Sequence, residues 1–147
     1  IRVRVRGDIL ATKQPVMVPS DIPVDEVLAR ATGARRSEAE ELLAMHAGVS
    51  GEAPVVWAGR IIGFGEYEYR YESGRGGRAP LIAFAPGASR HTIYLSSNFE
   101  DRWPDLMEKL GPYRASKVCL YLTRLTQVDR SVLRALLERS LAEAISQ

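Results

Sequence analysis

Apolar positions along this chain change period twice, from helical spacing to strict alternation and back to helical spacing. Pro23 suits the first turn of a short helix running through Ala31, and Gly33 stops it. Ser37-Glu38-Ala39-Glu40 reads as a capping box, with serine at the cap and glutamate three residues on, opening a second helix that ends at Gly48. Ala39, Leu42, Leu43 and His46 share its inner face by their spacing of three and four.

Past the loop from Gly51 to Pro54 the alternation takes over. Val55 to Trp57, Ile61 to Glu72, Pro80 to Ala85 and Thr92 to Ser97 read as successive strands, joined by SGRGG at 73 to 77 and PGASR at 86 to 90. Connections this short imply an antiparallel meander. Pro104 to Leu110 reads as a short helix with proline at its start and Gly111 beyond its end, and Lys117 to Thr123 as a further strand. From about Asp129 to Ile145, Leu133, Leu136, Leu137, Leu141 and Ala144 form one apolar stripe on a last helix. Helices before and after a sheet describe a two-layer α+β domain, an antiparallel sheet flanked by N-terminal helices and a C-terminal helix. Residues 1–19 read as an extension or arm, because Ile1, Val3 and Val5 alternate with three arginines before Gly7, Pro15 and Pro19 break any regular element. The domain proper spans 20–147.

The most regular alternation is GFGEYEYRYESG at 63 to 74. Tyr67, Tyr69 and Tyr71 fall on one strand face and Glu66, Glu68, Arg70 and Glu72 on the other. With helices covering one side of the sheet, the first expectation is that these tyrosines lie in the core with their hydroxyls at its margin. The alternative is an aromatic wall of a ligand cleft, built from Trp57, Tyr67, Tyr69, Tyr71, Tyr94 and Tyr121 with Lys117 as a polar partner.

Composition narrows the classes. A chain of 147 residues, 46% hydrophobic and 26% charged, can bury a core without disulfide or metal. A formal charge of +2 gives no general footprint for nucleic acid or an acidic membrane, and no apolar run approaches the ~20 residues of a membrane helix. Neither a nucleic-acid nor a membrane partner is expected. Cys119 is the only cysteine, which suits a reducing cytoplasm, and no secretory signal pattern is readable. The first residue is Ile1 rather than Met, which leaves room for a segment before it.

Trp57, Ile62-Gly63-Phe64-Gly65, Tyr67-Glu68-Tyr69-Arg70-Tyr71, Ser73-Gly74, Phe84-Ala85-Pro86, Leu110-Gly111 and Lys117-Val118-Cys119-Leu120-Tyr121 together resemble the bacterial YdhG-like family of domains of unknown function, from about Ser20 to Ala144. The resemblance implies a small cytoplasmic α+β domain without an assigned biochemical role, some relatives of which are described as frataxin-like iron chaperones. The chain departs from the family at Pro86-Gly87-Ala88, where many relatives carry Pro-Arg-Lys, and at Ser116, where a glycine commonly precedes the lysine.

The chemical constellations are sparse. Gly63-Phe64-Gly65 lacks the third glycine of a dinucleotide fingerprint and leads into a strand rather than a helix. His46 and His91 are far apart and sit at no metal-ligand spacing with Cys119 or a carboxylate, so no metal site is readable. His46 reads as a core-margin histidine whose charged form would favour the end of its helix. Cys119 reads as a buried strand cysteine. Glu38 and Glu41 are the only candidates for the iron reading, and Arg35 three residues before Glu38 makes a surface ion pair the simpler expectation. No nucleophile elbow or acid-base pair is present at a telling spacing. The functional expectation is a non-enzymatic domain, without cofactor, that binds a small molecule or a protein partner; an iron chaperone and an enzyme of unrecognised type are the alternatives.

Overall fold

The computed structural model describes residues 17–146, and the alternating arginine segment of the expected arm lies outside them. Among the described residues, five helices, a six-stranded sheet and a two-stranded sheet form a two-layer α+β domain. In chain order these are α1 (Val24–Leu28), α2 (Ala34–Ser50), β1 (Pro54–Trp57), β2 (Ile61–Phe64), β3 (Tyr67–Arg70), β4 (Gly76–Ala79), β5 (Ile82–Ala85), β6 (His91–Tyr94), α3 (Phe99–Arg102), α4 (Pro104–Leu110), β7 (Arg114–Ala115), β8 (Cys119–Leu122) and α5 (Arg130–Ile145). The main sheet runs β1-β2-β5-β6-β8-β7, antiparallel throughout.

Alternation decides which face meets the helices. Ile62, Phe64, Phe84, Ile93, Leu120 and Leu122 point toward α2 and α5, where Ala39, Leu42, Leu133, Leu136 and Leu137 meet them. Burying each leucine or phenylalanine fully contributes about 1.5–3 kcal/mol. The opposite face carries a smaller cluster of Trp57, Ile61 and Ala83, with Ala85 and Tyr94 packed beside it. Asp129 caps α5, accepting hydrogen bonds from the amides of Ser131 (3.0 Å) and Val132 (3.2 Å).

Four element boundaries differ from expectation. Helix α2 begins at Ala34 after Gly33, whose φ of 60° suits glycine, so Ser37 is no cap: its hydroxyl donates back to the Ala34 carbonyl and Glu40 pairs with Arg36. The helix also runs through Gly48 and ends at Gly51, in the left-handed conformation. The expected strand from Ile61 to Glu72 is broken at Gly65, where φ is 69° and a Cβ would come within 2.6 Å of the Leu81 side chain. Finally, Gly76 and Gly77, read as part of a turn, belong to a strand.

The break at Gly65 bends one continuous ribbon. Phe64 pairs with Ile82 in the main sheet, and three residues further along each strand Tyr67 pairs with Ala79 in the small one, so the register never slips. Strands β3 and β4 are therefore the outer half of the β2–β5 hairpin, turned out of the sheet. At the other edge, Ser20 donates its amide to Val56 (2.9 Å) and Pro19 bridges to Trp57, so the chain already joins the domain just before the expected boundary at residue 20.

Candidate ligand-binding site

The tyrosine stripe sits on the turned-out ribbon, and this corrects the expectation that it lies in the core. Tyr67, Tyr69 and Tyr71 are each half-buried and belong to neither apolar cluster, because the helices cover the main sheet and not the ribbon. Their rings pack on one another instead, with centroids 6.5 Å apart for Tyr67 and Tyr69 and 5.4 Å for Tyr69 and Tyr71. On the opposite face, Arg78 makes a forked ion pair with Glu66 (2.8–3.0 Å). Burial raises the phenol pKa of Tyr67 and Tyr69, and Tyr71 adds to the rise at Tyr69.

At the foot of the ribbon lies a cleft of about 490 Å³. Tyr67, Ala79, Pro80 and Leu81 form its ribbon side, while Ile61, Ala83 and Tyr94 form its floor on the helix-free face of the sheet. Its far wall is polar and comes from the loop after β6, the end of α3 and the last turns of α5. There Arg102 pairs with Glu143 and donates to the Ser97 carbonyl (2.9 Å), and the buried Ser140 hydroxyl accepts the Ser96 amide (3.1 Å). The ion pair holds the Glu143 carboxyl below its usual range, while burial raises the Tyr94 phenol. Such a cleft has an apolar body and one charged, hydrogen-bonding end.

Of the seven residues proposed as an aromatic wall, only Tyr67 and Tyr94 meet here. Trp57 is buried, its ring lying over Gly63, where an added Cβ would fall 2.7 Å from the indole. Tyr69 and Tyr71 stand further out on the ribbon. Lys117 is exposed and joins the site only by sequence proximity to the lining residue Val118. Tyr121 lies on the same sheet face toward the opposite end, beneath the guanidinium of Arg90 at 4.0 Å. Sequence reading missed Arg102, Ser140 and Glu143; the available signal was Ser140, a hydroxyl set into the buried stripe of α5.

The carboxylates of the iron reading are engaged elsewhere. Glu38, 7% exposed, accepts from His91 Nε2 (3.0 Å) and from Arg124 Nε (2.9 Å), and Glu41 pairs with Arg130. Arg35 is not Glu38's partner: its guanidinium donates to the carbonyls of Thr123 (2.8 Å) and Ala88 (3.2 Å). Burial would raise the Glu38 carboxyl, but hydrogen bonds from His91, the Leu125 backbone and Arg124 outweigh it and hold the pKa below its usual value. His91 is itself lowered by burial and by the nearby arginines, despite Glu38, so it is neutral with Nε2–H as donor and Nδ1 unpartnered among the described residues.

His46 differs from expectation too. It is wholly buried between Phe64 and Phe84, with ring centroids 5.4 and 4.8 Å away, and donates from Nδ1 to Leu42 (2.7 Å). Burial brings its pKa down to about 4, so it is a neutral core residue and no charged partner of a helix end. Cys119 is half-buried and free, opposite Tyr94 in the register. Among the described residues no three or more His, Cys, Asp or Glu side chains are grouped to hold a metal, and no helix is long and apolar enough to cross a membrane.

Fold and cleft define a two-layer α+β domain with a bent β-ribbon over an amphipathic cleft. Comparison with protein-family models, curated proteins and solved structures finds no match to this chain.

Proposed function

We propose that the protein is a non-enzymatic binding domain for an amphipathic small molecule, with the cleft beneath the ribbon as its site. The carrying observation is the pairing of an apolar floor, Ile61, Ala83 and Tyr94, and the ribbon's Tyr67 with the Arg102–Glu143 ion pair at the opposite wall. A ligand would lay its apolar body across the tyrosines and present an acidic head to Arg102, displacing Glu143. The volume lies in the ordinary range of small-molecule sites, roughly 300–1,000 Å³. The cytoplasm, where a single cysteine stays reduced, is the compartment this reading adopts. Likeness to the YdhG-like domains belongs to the same proposal, supported by the ordered residue string along the strands.

The test is displacement of anilinonaphthalene sulfonate by medium-chain fatty acids, followed by fluorescence and by amide chemical shifts. Saturable binding that shifts residues 94–97 and weakens about tenfold in Tyr67→Ala or Arg102→Gln supports the reading, a factor of ten corresponding to about 1.4 kcal/mol. Absence of any saturable shift at these residues up to about 1 mM ligand, a binding free energy near −4 kcal/mol, overturns it.

A further inference from the structure

A second recess, of about 390 Å³, opens at the other end of the helix-free sheet face. Three chain segments meet there: Ser89 and Arg90 leading into β6, Tyr113 and Arg114 at β7, and Tyr121 to Gln127 leaving β8. Its lining includes three arginines, Arg90, Arg114 and Arg124, and no carboxylate.

Two of these three guanidiniums carry no ion pair with a described residue, in contrast to five arginines elsewhere on the protein. Arg36, Arg78, Arg102, Arg130 and Arg139 each pair with a glutamate or aspartate. Arg90 and Arg114 make no ion pair with a described residue, and Arg124 gives only its Nε to Glu38, leaving its terminal nitrogens without a hydrogen bond among the described residues. The nearby carboxylates are already engaged: Glu38 accepts from His91 and from Arg124 Nε, and Glu100 accepts from the Tyr113 hydroxyl (2.8 Å).

The recess is also held in shape before any ligand arrives. Arg35 ties its two loops together, donating to Ala88 on one side and Thr123 on the other. The Arg90 guanidinium lies over the Tyr121 ring, 4.0 Å from its centroid, and makes no side-chain hydrogen bond with a described residue. The hydroxyls of Ser89, Thr123 and Thr126 stand at the same recess. Planar forks from several arginines, with hydroxyl donors between them, match the oxygens of a dianionic phosphate better than a single carboxylate.

We propose that this recess is a binding site for a small molecule bearing a phosphate group, recognised by Arg90, Arg114 and Arg124. It is separate from the cleft beneath the ribbon and does not depend on that cleft having a ligand. The probes are inorganic phosphate and ribose phosphate, with chloride at equal ionic strength and a short oligouridylate as comparators; the readout is the side-chain Nε–H resonances of the arginines together with amide shifts at 89–91 and 121–127. Saturable phosphate binding in the millimolar range or tighter, weakened about tenfold by Arg90→Gln and by Arg114→Gln and unaffected by Tyr67→Ala, is the expected result. Arg114 is exposed and makes no ion pair with a described residue, so Arg114→Gln keeps the test valid if Arg90→Gln fails to fold. Equal shifts with chloride, phosphate binding indifferent to both substitutions, or oligouridylate binding about a hundredfold tighter than ribose phosphate would each overturn it, the last in favour of a nucleic-acid surface.

Discussion

The ring of Tyr69 lies across Gly77, its cross-strand partner, so closely that a Cβ on Gly77 would stand 2.4 Å from the phenolic oxygen. Next to it, a Cβ on Gly76 would stand 2.2 Å from the Tyr69 carbonyl oxygen. The two glycines thus answer to different obstacles, one the end of a side chain and the other backbone. Gly77→Ala should displace the Tyr69 ring and leave the ribbon paired, whereas Gly76→Ala should open β3–β4 and speed amide exchange across 67–70 and 76–79. Tyr69→Phe, at a half-buried position, should change stability by less than about 0.5 kcal/mol. Equal exchange rates in the two glycine variants would contradict this account.

Leu137 is wholly buried where α5 meets the sheet. Leu137→Ala should cost roughly 2–5 kcal/mol in denaturant melts, since the rigid neighbours close only part of the cavity. A loss under about 0.5 kcal/mol, the surface range, would mean the face of α5 is wrongly assigned.

His46 makes stability depend on pH. Its folded pKa of about 4 lies below the ordinary 6.5, so between those values the unfolded chain binds the proton and the folded one does not. The stabilisation is complete above pH 6.5 and is lost as the pH falls toward 4, with a magnitude on the order of 3 kcal/mol. His91, lowered in the same direction, also loses its contribution as the pH falls below the ordinary histidine value, whereas Glu38 loses its contribution only below its ordinary carboxylate value. Unfolding free energies at pH 7 and pH 5 should therefore differ less in His46→Leu than in the parent chain.

Glu38 and Glu41 sit one helical turn apart and should respond differently. Glu38→Gln leaves the buried His91 and the Arg124 Nε facing a weaker acceptor and should cost about 1–3 kcal/mol. Glu41→Gln removes an ion pair that is about 40% exposed on both sides and should cost under about 1 kcal/mol. With both carboxylates held by arginines, ferrous iron should bind no tighter than about 0.1 mM, the scale of weak oxygen-ligand sites. Anaerobic calorimetry showing micromolar, stoichiometric iron binding that disappears in the double variant would revive the chaperone reading.

Much of the local architecture was legible in residue order. Pro104 and Gly111 bracket α4, α5 opens at Asp129, and Leu133, Leu136 and Leu137 mark its buried stripe. These signals act over a few residues, through φ preference, capping and side-chain period, and so survive without tertiary knowledge. The same rules misplaced the start of α2, because Ser37 and Glu40 make a plausible cap only while their alternatives, the Ala34 carbonyl and Arg36, are unseen. The role of Tyr67, Tyr69 and Tyr71 lay beyond sequence reading for a different reason. Alternation sets which side chains share a face, but what covers that face depends on Gly65 bending the ribbon away from helices that are distant in the chain. Likewise Arg102 meets Glu143, Glu38 meets His91, and Arg90 shares a recess with Arg124 across separations of 34 residues or more, contacts that only the closed sheet and the docking of α2 and α5 bring together.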